Sequence, residues 1–484
     1  MRRLTGCAWL FLSAGLGLGV ASGARAQASA VETEGHATAP GSLEGRPAAA
    51  HVSPLQARLD AAAPGQLVTI DGGIYHGDLV VDRPLRIVGA HRPRLVGSGE
   101  GSVVRIRAAD VSFAGFDIDG LGGGDLGRDT SGVHVAAARA TIRDVHITNS
   151  LFGIYLRAAD GAKVEHCSIR GIPGKEPGEK GSGIHVWNTQ SFRLDGNLIE
   201  DVRDGLYVQS SGGGWIAHNV ARHLRYGLHY MYSDDNVFED NTFEDGAAGT
   251  AIMYSQRIVF RRNRFLRNRG FASVGLLLKA CNQVVAEDNL IADNARGIFL
   301  EGSNGNVLRR NVVAESDSAI VLYDSCSGNR FEGNLFVGNL TPLFLVGRRT
   351  DTVFRGNYWS GNDEPDLDGD GVADRPYRLT SVFDHFRGNL TAADLLAQGP
   401  AALALGAAEM SFPIIQPPEV VDSAPLVRPP SLPDVPAAGP RRTIASWHGV
   451  LGSGVLCGLG ALVLARGARR PQVGRTSPAG GAGP

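Results

Sequence analysis

GIHVWNTQSFRLDGNLIEDVRD (183–204), GLYVQSSGGGWIAHNVARHLRY (205–226) and GLHYMYSDDNVFEDNTFEDGAA (227–248) are three copies of one pattern, which returns as GIFLEGSNGNVLRRNVVAESDS (297–318). Each copy carries one marker asparagine, at Asn197, Asn219, Asn241, Asn263, Asn289, Asn311, Asn334 and Asn357, with spacings of 22, 22, 22, 26, 22, 23 and 23 residues. Helical repeats need about 33 residues or more, so the period is too short for them. Short apolar alternations punctuated by Gly and Asn instead predict an all-β fold, a right-handed parallel β-helix solenoid with coils of about 22 residues.

Side chains alternate across a strand, so Ile184/Val186, Leu206/Val208, Leu228/Tyr230, Leu276/Leu278, Ile298/Leu300 and Ile320/Leu322 face inward. Stacked about 4.8 Å apart, they form one continuous core. The marker asparagines sit at a corner, where each side chain can satisfy backbone groups and bond its counterpart on the next coil. Extra residues collect at another corner: 120–131, 171–182 and 267–274 precede the strands carrying His134, His185 and Leu277. Insertions at one edge of a solenoid either border a binding face or are tolerated surface loops.

The 484 residues hold 65 glycines and are 43% hydrophobic, which fits a long, turn-rich β rod with appendages. With 47 basic against 49 acidic residues there is no electrostatic footprint for nucleic acid, and no such partner is expected. Arg2 and Arg3, an apolar run and Ala24-Arg25-Ala26 mark residues 1–26 as an export leader. Residues 27–53 have no periodicity and read as a disordered lead-in. A short helix from Pro54 to Ala63 would cap the first coil of a β-helix spanning 54–360. Residues 361–440 hold an acidic loop and a proline-rich arm, either a linker or a docking strand.

The uncharged run Ile444 to Ala465 predicts a C-terminal transmembrane helix within 441–470. Basic residues after it place 471–484 in the cytoplasm and the rod in the periplasm, anchored to the inner membrane. Removing the leader takes Cys7, and Cys457 lies in the membrane run, leaving Cys167, Cys281 and Cys326. Cys281 and Cys326 fall in one column two coils apart, roughly 9.6 Å, beyond disulfide reach, so buried free thiols are expected.

Two outward columns carry the candidate chemistry: His134, Tyr155, His185, Tyr207, His229, Ala251, and beside it Trp187, Gln209, Met231, Met253, Lys279. The chain has 4 methionines, and two of them stack here next to His229. Thioethers about 5 Å apart with an imidazole roughly 7 Å along the strand are soft ligands suited to Cu(I), with His185, His229, Met231 and Met253 as the candidate set. A Met and aromatic stripe also serves as a contact surface for a neighbouring segment or partner. Separately, Asp366, Asp368, Asp370 and Asp374, with Gly371 at the turn, resemble the first half of an EF-hand loop and are candidate calcium ligands. Tyr377 stands where the bidentate Glu belongs, and an Asx-rich turn is the alternative reading. β-Helix lyases and epimerases would present outward acidic ladders, whereas Asp234, Asp235, Glu239, Asp240 and Glu244 sit at turns, so no catalytic residues are assigned.

GLHYMYSDDN (227–236), AIMYSQR (251–257), NYWSG (357–361), DLDGDGVADRPYR (366–378) and FPIIQPPEVVDSAPLVRPP (412–430) resemble the NosD family of nitrous oxide reductase maturation proteins. The opening LQARLDAAAPGQLVTIDGGIYHGDLVV (55–81) is similar to the start of that family's β-helix domain, so the likeness covers roughly residues 54 to 430. The resemblance implies a periplasmic, non-enzymatic accessory protein that works with an ABC-type ATPase and its permease subunit. It further implies copper supply to the copper-sulfide centre of nitrous oxide reductase, with a copper-chaperone lipoprotein as donor. It points to His229, Met231 and Met253 by their matching motif positions. The membrane segment departs from the family pattern. A polysaccharide lyase, epimerase or carbohydrate-binding protein on the same fold is the alternative.

Overall fold

Every coil lays down three short strands at fixed points of the repeat, as in Arg193–Asp195, Leu198–Glu200 and Asp204–Gln209. In the computed structural model of the protein, each strand pairs in parallel with its counterpart one coil on, giving sheets of 15, 13 and 12 strands. The structure describes residues 53–124, 126–270, 273–381, 408 and 420–430. The predicted leader, the lead-in before Ser53, the membrane segment and the tail lie outside them. Among the described residues no helix is long and apolar enough to cross a membrane.

Inward residues stack in register, Leu206 on Leu228 and Val208 on Tyr230, all fully buried. Phenylalanines repeat the theme at other positions, with Phe238 stacked on Phe260 at 4.8 Å and Phe336 on Trp359 at 4.0 Å. The asparagine ladder is present as expected. The backbone N–H and Nδ2 of Asn219 both donate to Oδ1 of Asn241, at 3.0 and 2.9 Å, and Nδ2 also reaches the Leu194 carbonyl. The motif repeats to Asn357, and the longest spacing, from Asn263 to Asn289, keeps its bond at 2.8 Å. The four extra residues of that coil are therefore looped out elsewhere. Before each of these asparagines the chain takes a left-handed turn, at His218 and Asp240 (φ 54°) as at Gly196 (φ 65°).

Other corners carry ladders that the marker asparagines did not announce. Along Thr189, Ser211, Ser233 and Ser255 each backbone amide donates to the hydroxyl on the next coil, and Cys281, Ser303 and Cys326 continue the column. The two cysteines are buried and free with Ser303 between them, and Cys167 is likewise a buried free thiol.

Both ends of the core are covered. The helix Pro54–Ala61 starts on Ser53, whose Oγ accepts from the Gln56 amide, and buries Leu55 and Leu59. Gln56 then bonds both backbone groups of Val80, closing the first coil. At the far end the proline-rich arm supplies a docking strand, Val421–Asp422, parallel to Val353–Arg355 and antiparallel to Tyr377–Arg378. Asp422 is fully buried and takes the place of the next ladder asparagine. Its carboxylate accepts from the Gly356 and Asn357 amides, from Asn357 Nδ2 at 2.7 Å and from Trp359 Nε1 at 3.0 Å.

Candidate functional site

The third sheet presents both expected columns. His134, Tyr155, His185, Tyr207, His229 and Ala251 occupy one register line. Trp187, Gln209, Met231, Met253 and Lys279 occupy the next, which continues to Glu301. Met231 therefore faces outward, directly beside Met253 on the following coil. His229 shares the Met231 strand, two residues earlier and on the same face.

The rings of the first column interlock. His185 lies face to face between Tyr155 at 4.3 Å and Tyr207 at 4.2 Å, and Tyr207 meets His229 edge-on at 4.8 Å. Burial lowers the pKa of His185 to about 3, helped by the positive charge of Arg203, and that of His134 to about 4, so both rings are neutral at physiological pH. The 120–131 and 171–182 insertions lean over this wall, with Leu126 and Ile172 packing around Leu151, Phe152, Tyr155 and Trp187.

His229 is the member of the column that meets a buried carboxylate. Its Nδ1 lies 3.3 Å from Oδ2 of Asp204, a carboxylate with no solvent exposure, and its Nε2 is buried without a hydrogen-bond partner. Burial would raise the Asp204 carboxyl pKa, but hydrogen bonds from His229 and Arg225 outweigh it and hold the group well below the usual carboxylate range. Tyr207 donates to Gln209 Oε1 at 2.9 Å and places its hydroxyl 4.0 Å from Met231 Sδ. Met253 is only 4% exposed, whereas Met231 is half-buried. Next to the thioethers, Tyr232 and Tyr254 project into solvent with stacked rings 5.1 Å apart. A free imidazole nitrogen and two neighbouring thioethers fit a d¹⁰ soft cation such as Cu(I).

One of the four predicted copper ligands falls outside this group. His185 and His229 are separated by the whole Tyr207 coil, about 9.6 Å of rise, and the His185 ring is clamped between two tyrosines. An ion held by His229, Met231 and Met253 is out of its reach. The predicted calcium set is also one short. Asp366, Asp368 and Asp370 bring ligand oxygens within 4.8 Å of one another, but Asp374 is not part of the group and accepts instead from the Leu367 amide at 2.6 Å. Both oxygens of Asp366 and one each of Asp368 and Asp370 accept backbone amides, the pattern of consecutive Asx turns.

The acidic residues weighed for catalysis are engaged with arginines on the next coil. Asp235 pairs with Arg257, Glu239 and Asp240 with Arg262, and Glu244 with Arg267, while Asp234 lies 3.4 Å from Arg257. His218 and His223 are exposed and lie beside Asp195 and Asp201. Sequence reading passed over Asp204. Its signal was an acid in the strand-start slot held by Ser182 and Tyr226 on the adjacent coils, with Arg225 one coil on.

The architecture and this wall define a parallel β-helix protein with a soft-donor site on its outer face. Residues 168–364, which include the whole His/Met site, match the family described as "Periplasmic copper-binding protein (NosD)". Over these residues the chain is similar to the NosD family. It is 29% identical over 391 residues to the "Probable ABC transporter binding protein NosD" of Pseudomonas aeruginosa, covering 77% of this chain and 89% of that protein. The protein of the same name from Stutzerimonas stutzeri is 28% identical, with 75% and 87% covered. Among solved structures, the A-modules of the Azotobacter vinelandii mannuronan C-5 epimerases AlgE6 and AlgE4 superpose with TM-scores of 0.55 and 0.53 at 16% identity. AlgE6 covers 62% of this chain and 93% of its own, and AlgE4 61% and 93%, a likeness that concerns the fold alone.

Proposed function

We propose that this protein is a periplasmic, non-catalytic scaffold that receives Cu(I) on the wall formed by His229, Met231 and Met253 and relays it toward the copper-sulfide centre of nitrous oxide reductase. It does so beside an ABC-type ATPase and permease, with a copper-chaperone lipoprotein as donor, and the apolar run 444–465 serves as its inner-membrane anchor. The observation that carries this reading is the register pairing of Met231 with Met253 next to a histidine whose Nε2 has no partner. Neutral thioether and imidazole donors hold Cu(I) without adding charge, which suits an ion that must be passed on. The family's periplasmic copper-binding description and the ABC-transporter naming of its relatives support the same reading. The engagement of the corner carboxylates in arginine pairs supports the non-catalytic part, since a lyase or epimerase needs free acidic or basic groups at its cleft.

The test is a Cu(I) competition titration of the full chain against a chromophoric chelator. Met231→Ala/Met253→Ala is expected to weaken binding at least tenfold with the far-UV spectrum unchanged. Equal affinity in the two proteins would remove this wall as the metal site.

A further inference from the structure

The buried neighbourhood of His229 fixes more than which residues face the metal. Asp204 opens the strand Asp204–Gln209, one coil before His229, and its side chain is fully enclosed. Arg225 grips it with two bonds, Nε to Oδ1 at 2.9 Å and Nη2 to Oδ2 at 2.7 Å, and Arg203 Nε lies 3.5 Å from Oδ2. The carboxylate is thus immobile and charged, and the atom facing His229 Nδ1 is an acceptor. A neutral imidazole meeting a carboxylate at Nδ1 carries its proton there, which leaves Nε2 with a lone pair. Tyr207 at 4.8 Å and Tyr226 at 5.2 Å hold the ring edge-on, so the two nitrogens cannot exchange places without repacking the wall.

We propose that Asp204 is a positioning residue that fixes His229 as the Nδ1–H tautomer, so that Nε2 is the atom offered to Cu(I). This rests on the copper reading above and assigns it a ligating atom and a supporting carboxylate. Carboxylates behind a ligating histidine orient the ring and raise its basicity, and losing one typically costs about 10–100-fold in metal affinity. Asp204→Ala makes a sharper prediction than simple loss. The oxygen that meets His229 Nδ1 also accepts from Arg225 Nη2 and faces Arg203 Nε, so its removal leaves only guanidinium donors beside Nδ1. Nδ1 then becomes the acceptor and the proton moves to Nε2, the atom the metal needs.

The experiment is ¹⁵N-histidine NMR of the full chain at pH 8, with and without Cu(I). In the metal-free wild type His229 is expected as the Nδ1–H tautomer, and Cu(I) should shift its Nε2 resonance while Nδ1 keeps its proton. Asp204→Ala should show the Nε2–H tautomer and bind Cu(I) about tenfold or more weakly. A wild-type Nε2–H tautomer, or a metal-induced shift at Nδ1, overturns the assignment. So does an Asp204→Ala protein with unchanged tautomer and affinity. Should Asp204→Ala fail to fold, the wild-type tautomer alone decides. If Met231→Ala/Met253→Ala leaves Cu(I) affinity intact, the copper reading of the wall falls, and the metal-free tautomer still judges what Asp204 does to His229.

Discussion

Replacing one rung of the asparagine ladder should cost far more than replacing an ordinary corner asparagine. Asn241 accepts at Oδ1 from the Asn219 amide at 3.0 Å and donates from Nδ2 to the Ile216 carbonyl at 2.9 Å and to Asn263 Oδ1 at 3.0 Å. In Asn241→Ala, Asn219 Nδ2 still reaches the Leu194 carbonyl, and Asn263 Oδ1 still accepts from the backbone of residue 241. The Asn219 N–H is left buried with nothing to bond, while the Ile216 carbonyl keeps its place in the parallel strand ladder. The loss is about 1–3 kcal/mol for the orphaned amide. Because each coil of a solenoid touches only its neighbours, the damage should appear as a weakened central segment. Urea unfolding of the full chain by far-UV circular dichroism measures it, with Asn188→Gly as the control. Asn188 is solvent-exposed with φ 50°, so glycine there should change stability by no more than about 0.5 kcal/mol. An Asn241→Ala loss below about 1 kcal/mol would mean that the ladder bonds contribute no more than corner geometry does, and the reasoning would fail.

Acid should weaken the protein before its carboxylates titrate. The His134 and His185 pKa values are lowered on folding to about 4 and about 3, so the unfolded chain takes up protons first and stability falls as pH drops from about 6.5. At pH 5.5 each ring contributes about 1.4 kcal/mol of loss, and His185→Phe, which preserves the stack, should remove its share of the urea-midpoint slope. Burial alone would raise the Glu287 pKa, but hydrogen bonds from Arg261 and Arg309 bring it down to about 2, so its loss begins as the unfolded chain takes up the proton in the usual glutamate range and is complete only below about 2, later than the onset of the histidine loss. Asp422→Ala strips the acceptor from Gly356, Asn357 and Trp359, and should fray the last coil. Hydrogen exchange over 353–360 should rise while that over 183–248 stays unchanged; uniform deprotection would refute a local cap.

Period and parity carried most of this fold in plain view. One asparagine per copy set the register, and from the register followed the outward columns, the pairing of Met231 with Met253 and the separation of Cys281 from Cys326. The docking of Asp422 was hidden because it lies 65 residues beyond Asn357 with no repeat between them, and a carboxylate standing in for a ladder amide breaks the pattern that would have announced it. The other ladders mix Thr, Ser and Cys, which share a position and a hydrogen-bonding role but no letter.

His185 and Asp204 illustrate the opposite limits of reading one wall of the rod. His185 shares a column with His229, yet rise accumulates at about 4.8 Å per coil, so two residues of the same column on alternate coils cannot meet at one ion. Asp204 has the opposite relation: strand parity points it away from the outward column, yet it lies at a corner, and from there its side chain crosses to His229 on the next coil. A search confined to outward positions therefore groups two histidines that cannot share one ion and misses the carboxylate that contacts His229. On a solenoid, a metal site is assembled from neighbouring coils and from the corner beside the strand. The sequence positions to inspect are those one repeat away and three residues before each outward donor, where Tyr226 precedes His229 and Asp204 pairs with Tyr226.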